Sequence, residues 1–393
     1  MTSQVAITNF YGVAIASDTV SSRSTKGGIK TVTHTKKIYE LGPSHEVLVL
    51  HSGSTVINQV PAWLLVTEWS KSLLAPLETV QDYIDSFIRW ASDAAPMHAA
   101  SSEQNELNSK LNQCLYEVAR DTRNELQKAP SSSQKPPTPH ATLLSKIELN
   151  RGWLASMKPL DGFTLDDARK VVDNFKGDLE EKIKYYLDEF GATKKDFEPL
   201  KQLLAQALVS AEFNSDNDAY LAFVGFGTSQ AFAVNRQVQL RAYYDGKLRF
   251  LLKDNHDYAP SDEWVPGIDF FAQDSAIQGF IQGYRNETLD RIGGFIDEAL
   301  RSNLGDKIDG QTSDKIISEV FDKTVEFSQG TFIWPLFNEV DGMNTGRLAE
   351  FAESLVGLQA TSAKISDGPA TVGGLIEVVT IDKYNGIKWV KSL

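Results

Sequence analysis

The chain has 393 residues, 41% apolar and 23% charged, and its 52 acidic side chains against 39 Lys and Arg give a formal charge of -13. That length allows two domains or one core carrying a large insertion; the apolar fraction argues against wholesale disorder, and the acidic surplus argues against a nucleic-acid ligand, whose phosphates need clustered Lys and Arg. No basic segment leads into an apolar leader, no run reaches the roughly 18 apolar residues of a membrane span, and the single cysteine, Cys114, has no partner for an internal disulfide, so a cytoplasmic protein without a membrane partner is expected.

In chain order, strands come first. "QVAITNF" and "GVAIAS" are β-branched runs separated by Tyr11 and Gly12, which suits an antiparallel hairpin. "TKKIYEL" and "EVLVLHS" follow, divided by a turn at Gly42 and Pro43. After Gly53 the spacing becomes helical, with Val60, Leu64, Leu65 and Trp69 on one face, then Val80, Ile84, Phe87, Ile88 and Ala91 on another. Residues 2–96 therefore read as four strands and two helices.

Residues 97–215 change character. "SSEQNELNSKLNQCLYEVARDTRNELQKA" is a polar amphipathic helix, and the Pro and Ser linker near 130–139 cannot stay helical. Helices resume in "LDDARKVVDNFKGDLEEKIKYYLDEFG", with Asp166 and Asp167 suited to a first turn and Gly191 to a C-terminal cap. This stretch is expected to be an inserted helical module.

Residues 216–393 return to strands, "YLAFVGFG", "AFAVNRQVQLRAYY" and "KLRFLLK", with Asp245-Gly246 as a hairpin turn. Helices follow in "DSAIQGFIQGYRNETLDRIGGFIDEALRS", "SDKIISEVFDKTVEF" and "TGRLAEFAESLVGLQATSAKI". The chain closes on "GGLIEVVTID" and "IKWVKSL" around Asn385-Gly386. Segregated runs of strands and helices point to an α+β fold of layered sheets and helices, with no βαβ alternation.

The chemistry concentrates at the start. Removing Met1 would free the α-amino group of Thr2, whose reference pKa of about 7.7–8.0 lets it act as general base for its own hydroxyl. Such a nucleophile needs a nearby positive charge, a carboxylate to orient that charge, and an N–H for the oxyanion. Asp18 ends the second strand of the hairpin that Thr2 begins, Lys37 lies in the third strand, and Gly53 ends the fourth.

These residues carry a resemblance. "TSQVAITNFYGVAIASD", then "KKIYEL", then a strand ending "SGS", is similar to the start of proteasome β-type subunits and of the peptidase subunit of the bacterial two-component ATP-dependent protease. The resemblance implies a four-layer αββα sandwich of the N-terminal-nucleophile hydrolase type, a divergent member with a helical insertion. It implies Thr2 as nucleophile, Asp18 and Lys37 as its charge pair, and Gly53 as oxyanion donor. Ser22 and His51 would line the substrate side-chain pocket. "SDGPATVGGLIEVVTID" is similar to a late loop of the family, by which Asp367 takes the supporting carboxylate role and Thr371 a hydroxyl role, with Ser275 as a further supporting hydroxyl. Two departures stand out: the loop "SSRSTKGGIKTVTH" is longer than the family's, and no acidic residue follows Gly53, where Val56 and Ile57 stand.

The activity implied is threonine-type peptide-bond hydrolysis without a cofactor, on peptides or unfolded proteins, in a ring-shaped homo-oligomer served by an ATP-driven unfoldase. The alternatives are a non-catalytic scaffold subunit and an acyl-transferring peptide ligase. Ser132 to Lys135 and the "SDND" at Ser215 to Asp218 match β-lactamase elements only superficially, and no metal or phosphate motif is found.

Overall fold

The computed structural model describes residues 2–25, 28–32, 34–57, 59–93, 100–127, 138–175, 179–211, 213, 218–253, 266–305, 308–365 and 372–392. Its first elements are β1 (Ser3–Asn9) and β2 (Gly12–Asp18), every residue of which is buried. Asn9 Oδ1 accepts from the Tyr11 N–H at 2.9 Å to close the turn. Gly12 has φ 151°, and a Cβ there would lie 2.4 Å from the Ile381 carbonyl oxygen, so the strand pairing requires glycine.

The segment expected as a long loop pairs with itself instead. β3 (Ser21–Thr25) and β4 (Gly28–Val32) form a two-stranded ribbon from Ser21↔Val32 to Thr25↔Gly28. β5 (Ile38–Glu40) is short and Lys37 lies just before it, not inside a strand, although the His51 N–H still donates to the Lys37 carbonyl at 2.9 Å. β6 (Glu46–Gly53), the two-residue strands β7 (Val56–Ile57) and β8 (Val60–Pro61), and helices α1 (Ala62–Ser70) and α2 (Val80–Asp93) complete this half.

Five helices follow: α3 (Ala100–Gln127), α4 (Pro139–Ser156), α5 (Leu165–Asp173), α6 (Leu179–Leu187) and α7 (Phe197–Val209). They share a core of their own in which Leu115, Leu143, Leu187, Leu200 and Leu204 are fully buried. The run from Leu165 onward forms two helices. Thr164 and Asp167 cap the first reciprocally, and the second tightens into a 3₁₀ turn that ends at Gly191, φ 78°.

β9 (Ala219–Phe226), β10 (Val234–Tyr244) and β11 (Lys247–Leu252) come next, with Asp245 and Gly246 at φ 51° and 71° as the turn between the last two. The remainder is β12 (Gly267–Ala272), α8 (Ser275–Gln282), α9 (Asn286–Leu304), α10 (Gly310–Ser328), a π-helical turn Gln329–Ile333, α11 (Trp334–Asp341), α12 (Thr345–Ile365), β13 (Ile376–Asp382) and β14 (Gly386–Lys391).

The strands make two antiparallel five-stranded sheets, ordered β12-β1-β2-β13-β14 and β11-β10-β9-β6-β5. Alternation along each strand decides what each face meets. Ala6, Ile15 and Val379 of the first sheet and Leu48, Leu50 and Val224 of the second belong to one apolar cluster between the sheets. The opposite face of the first sheet, with Val5, Ile7 and Ala14, packs on Ile277 of α8 and Leu348 and Leu355 of α12. The opposite face of the second, with Val49, Leu221 and Phe223, packs on α1 and α2, where Trp69 stacks edge-on against Phe87 at 5.3 Å and Phe223 at 5.8 Å. Aromatic pairs of this kind add about 0.5–1.5 kcal/mol each beyond the area they bury. Being covered on both sides leaves no residue of β1 or β2 exposed, polar side chains included.

Candidate active site

Asp18 ends β2 and its carboxylate is entirely buried. Oδ1 accepts from the Ser3 N–H at 2.9 Å and from Lys37 Nζ at 2.6 Å. Oδ2 accepts from the Gly373 N–H at 3.0 Å and the Val20 N–H at 3.3 Å. Lys37 Nζ, its side chain 3% exposed, donates in addition to the Val20 carbonyl at 2.6 Å. A buried ion pair repays its desolvation only when its remaining donors and acceptors are satisfied, and this one meets that condition on the carboxylate side through three backbone amides. Burial pulls the Lys37 ammonium below the usual lysine range, and Asp18 and then Glu377 act against that pull.

The same carboxylate fixes Thr2. The Ser3 N–H belongs to the peptide that joins Thr2 to Ser3, and the carbonyl of that peptide accepts from the Gln273 N–H at 2.8 Å. Both polar atoms of one peptide are thus tied down, one by Asp18 and one by the chain leaving β12. Thr2 itself is 6% exposed. The termini of most chains are loose unless held in a sheet; here β1 lies between β12 and β2 and the hold extends to the second residue.

Gly53 closes β6 at φ 76°, and a Cβ there would approach the Asp218 carbonyl oxygen to 2.3 Å and Tyr220 Cδ2 to 2.8 Å. The next amide, Ser54 N–H, donates to that same Asp218 carbonyl at 2.8 Å. His51, two residues earlier, is buried, and because its Nε2 faces the Ser54 carbonyl at 2.8 Å, that nitrogen carries the proton. Burial pushes the His51 pKa down, the Ser54 carbonyl opposes this, and the Lys37 charge lowers it further, so the ring is neutral at physiological pH.

Beside these residues opens a cleft of about 630 Å³ between the β5–β6 edge and α1, lined by Thr35, Lys36, Tyr39, His51, Trp63 and Val66 among others. Lys36 and Glu40 at its rim both engage Trp389 of β14: the Lys36 ammonium lies 5.9 Å from the ring centre, and Glu40 accepts from the indole N–H.

Ser275, the first residue of α8, is exposed and lies two residues past the Gln273 that binds Thr2. Ser22 pairs with Thr31 in the β3–β4 ribbon; its side chain, and Asp367 and Thr371 altogether, lie outside the described residues. Gly53 and His51 share the end of β6, whereas Thr2, Asp18 and Lys37 meet at the start of β1.

Besides Gln273, two contributors carry no local sequence signal. Gly373 supplies an amide to Asp18, and the Thr19 N–H returns to the Gly373 carbonyl at 3.2 Å, so this glycine stitches the late loop to the end of β2. Glu377, 2% exposed and opposite Ser17 in the β13–β2 ladder, adds its charge to the fields at Lys37 and Tyr39. Among the described residues no group of three His, Cys, Asp or Glu side chains could hold a metal ion, and no helix is long and apolar enough to cross a membrane.

No protein-family model and no curated protein matches the chain. Among solved structures it is similar to a Gly-1 mutant of Anbu from Hyphomicrobium sp. strain MC1, at 12% identity and a TM-score of 0.28, over 100% of this chain and 88% of that one. A superposition that loose assigns no role to any residue. What the chain itself defines is a mixed α/β protein with two antiparallel sheets and a buried Asp–Lys pair at the start of its first strand.

Proposed function

We propose that the chain is an N-terminal threonine hydrolase that cleaves peptide bonds, built on a four-layer αββα sandwich of the N-terminal-nucleophile type. The observation that carries this reading is the double anchoring of the Thr2–Ser3 peptide, by Asp18 on one side and Gln273 on the other, with the Lys37 ammonium on the same carboxylate. A structural ion pair has no need to seize the amide directly after the second residue; a nucleophile that is also its own base does, because its geometry must be held without a preceding chain.

In the mechanism, loss of Met1 exposes the Thr2 amine. Thr2 Oγ attacks the scissile carbonyl while the amine takes the hydroxyl proton, and that proton is passed to the departing amine. Lys37, oriented by Asp18, lowers the proton affinity of the nucleophile, and the Gly53 N–H stabilises the oxyanion. Water then resolves the ester, with the amine again as base, and releases the carboxylic acid. The cleft at His51 receives the side chain of the substrate, and Ser22 takes the substrate-binding role that the resemblance gives it. Ser275, Asp367 and Thr371 take supporting roles. A ring-shaped homo-oligomer in the cytoplasm and an ATP-driven unfoldase partner belong to the same reading.

The test is the intact mass of untagged protein together with hydrolysis of a fluorogenic peptide panel by the wild type and Thr2→Ala. Loss of Met1 and turnover abolished in the folded variant are expected. Undiminished turnover by Thr2→Ala would sink the assignment.

A further inference from the structure

Helices α9 and α10 make an antiparallel hairpin with almost nothing beneath it among the described residues. Between Ile281 and Val340 no apolar side chain among the described residues is buried. The two helices meet where Gly293 admits Phe321, whose ring would lie 2.8 Å from a Cβ at that position, and where Ser313 Oγ donates to Asp297 at 2.7 Å. Other apolar residues, such as Ile296, Leu300 and Val320, are half-buried, but six large ones face solvent: Phe327 is 64% exposed, Phe295 60%, Trp334 48%, Ile292 and Phe332 41%, and Phe280 at the foot of the hairpin 57%. Helical spacing puts Ile292 of α9 and Phe327 of α10 on the same side of the pair. Helices keep their shape in proteins chiefly by burying an apolar face, and an uncovered face of this extent marks an interaction surface.

We infer that this face is covered by the same hairpin from a second copy of the chain, the two hairpins forming a four-helix bundle about a two-fold axis. The inference is independent of the catalytic reading. Length and symmetry favour it: α9 and α10 have 19 residues each, about 28 Å of helix, and a two-fold interface asks for one self-complementary patch, which a two-helix layer supplies to its own duplicate. Area agrees. Aromatic side chains bury about 150–250 Å² each, so six large apolar groups roughly half exposed offer on the order of 600 Å² per copy, which with a polar rim approaches the roughly 800 Å² per partner of a standard interface. Charge removes other classes of occupant: residues 286–328 hold ten Asp and Glu against five Lys and Arg, which repels anionic lipid and nucleic acid. The same charge makes the pairing stronger at higher salt, because like charges face each other across it.

Sedimentation velocity of the full chain, over a dilution series, tests this with the wild type and the double variant Phe295→Glu, Phe327→Glu. Both side chains are mostly in solvent, so the variant should keep the wild-type melting curve. The wild type is expected at an even multiple of 43.5 kDa, tightening with added salt, and the variant at half that mass. A wild type that is monomeric throughout, or a folded variant of unchanged mass, overturns the inference. Hydrogen exchange of the wild type serves if the variant does not fold: amides of 286–328 should lose protection on dilution as the mass falls, and protection unmoved by dissociation overturns it equally.

Discussion

Asp18 accepts a hydrogen bond from the Ser3 amide at 2.9 Å, so the last residue of β2 holds the first peptide of β1. The register Gln4↔Ser17 places the two ends of the hairpin side by side, and the amide is the one directly after the second residue of the chain.

That carboxylate has three backbone donors besides Lys37, which sets an order of stabilities. Lys37→Met leaves Asp18 satisfied by the Ser3, Val20 and Gly373 amides and should cost about 1–3 kcal/mol. Asp18→Ala strands those amides together with a buried ammonium and should cost about 3–5 kcal/mol. Urea denaturation of the two variants measures the difference, and the reverse order would show that the lysine, not the amides, secures the carboxylate.

His51 gives the protein a pH-dependent term. Its folded pKa lies below the ordinary 6.5 because of burial, so below pH 6.5 the unfolded chain takes up a proton that the native state refuses. Stability from this site is therefore full above pH 6.5 and falls as the pH drops toward the lowered folded value. His51→Gln, which keeps a donor for the Ser54 carbonyl, should flatten that slope in denaturation curves taken between pH 7 and pH 5 (about the range in which histidine titrates). An unchanged slope would assign the acid sensitivity to other groups.

Two glycines separate strain from space. Gly53 and Gly246 have φ 76° and 71°, but only Gly53 has backbone within reach, the Asp218 oxygen 2.3 Å from where a methyl carbon would stand, while Gly246 has nothing within 4 Å. Gly246→Ala should cost only the conformational penalty of about 1–2 kcal/mol. Gly53→Ala must also displace a strand end and should lower the melting temperature clearly further. Thermal unfolding of the two variants side by side checks this, and equal losses would show that the end of β6 yields to the added carbon.

Arg241 ties the helical module to the second sheet. Nε donates to Asp218 Oδ2 at 2.7 Å, and the two Nη groups donate to the carbonyls of Ser210, Phe213 and Ala211 at 2.8, 3.2 and 2.5 Å. An ammonium cannot span that fork. Arg241→Lys is expected to lose about 3–5 kcal/mol and to open the segment around residues 210–213 to protease; a variant as resistant as the wild type would show that the helical core alone holds the return strand.

Much of the fold could be read from local chemistry. The β-branched runs of β1 and β2, the Asp245-Gly246 turn and the first-turn acids of α5 all act within a few residues, and periodicity reports them. β12 is not legible locally because "GIDFFA" has no clean alternation, and three of its six residues are only half-buried. The β3–β4 ribbon escaped because Ser, Thr and Gly in "SSRSTKGGIKTV" carry turn chemistry, while the pairing that overrides it is a property of two segments together. At the site, Thr2, Asp18 and Lys37 stand within one short stretch of sequence. Gln273, Gly373 and Glu377 reach the same place only through sheet pairing across most of the chain, which no local pattern encodes.

Asp218 belongs to two structures at once. Its side chain receives Arg241, which grips the tail of the helical module, and its carbonyl oxygen receives the amide that follows Gly53. The tail of the helical module and the end of β6 thus meet at a single residue. The sheet grips the helices elsewhere too, Arg249 of β11 donating to the Leu208 carbonyl of α7 at 2.9 Å, so Asp218 is one joint among several, and the one that also reaches the end of β6.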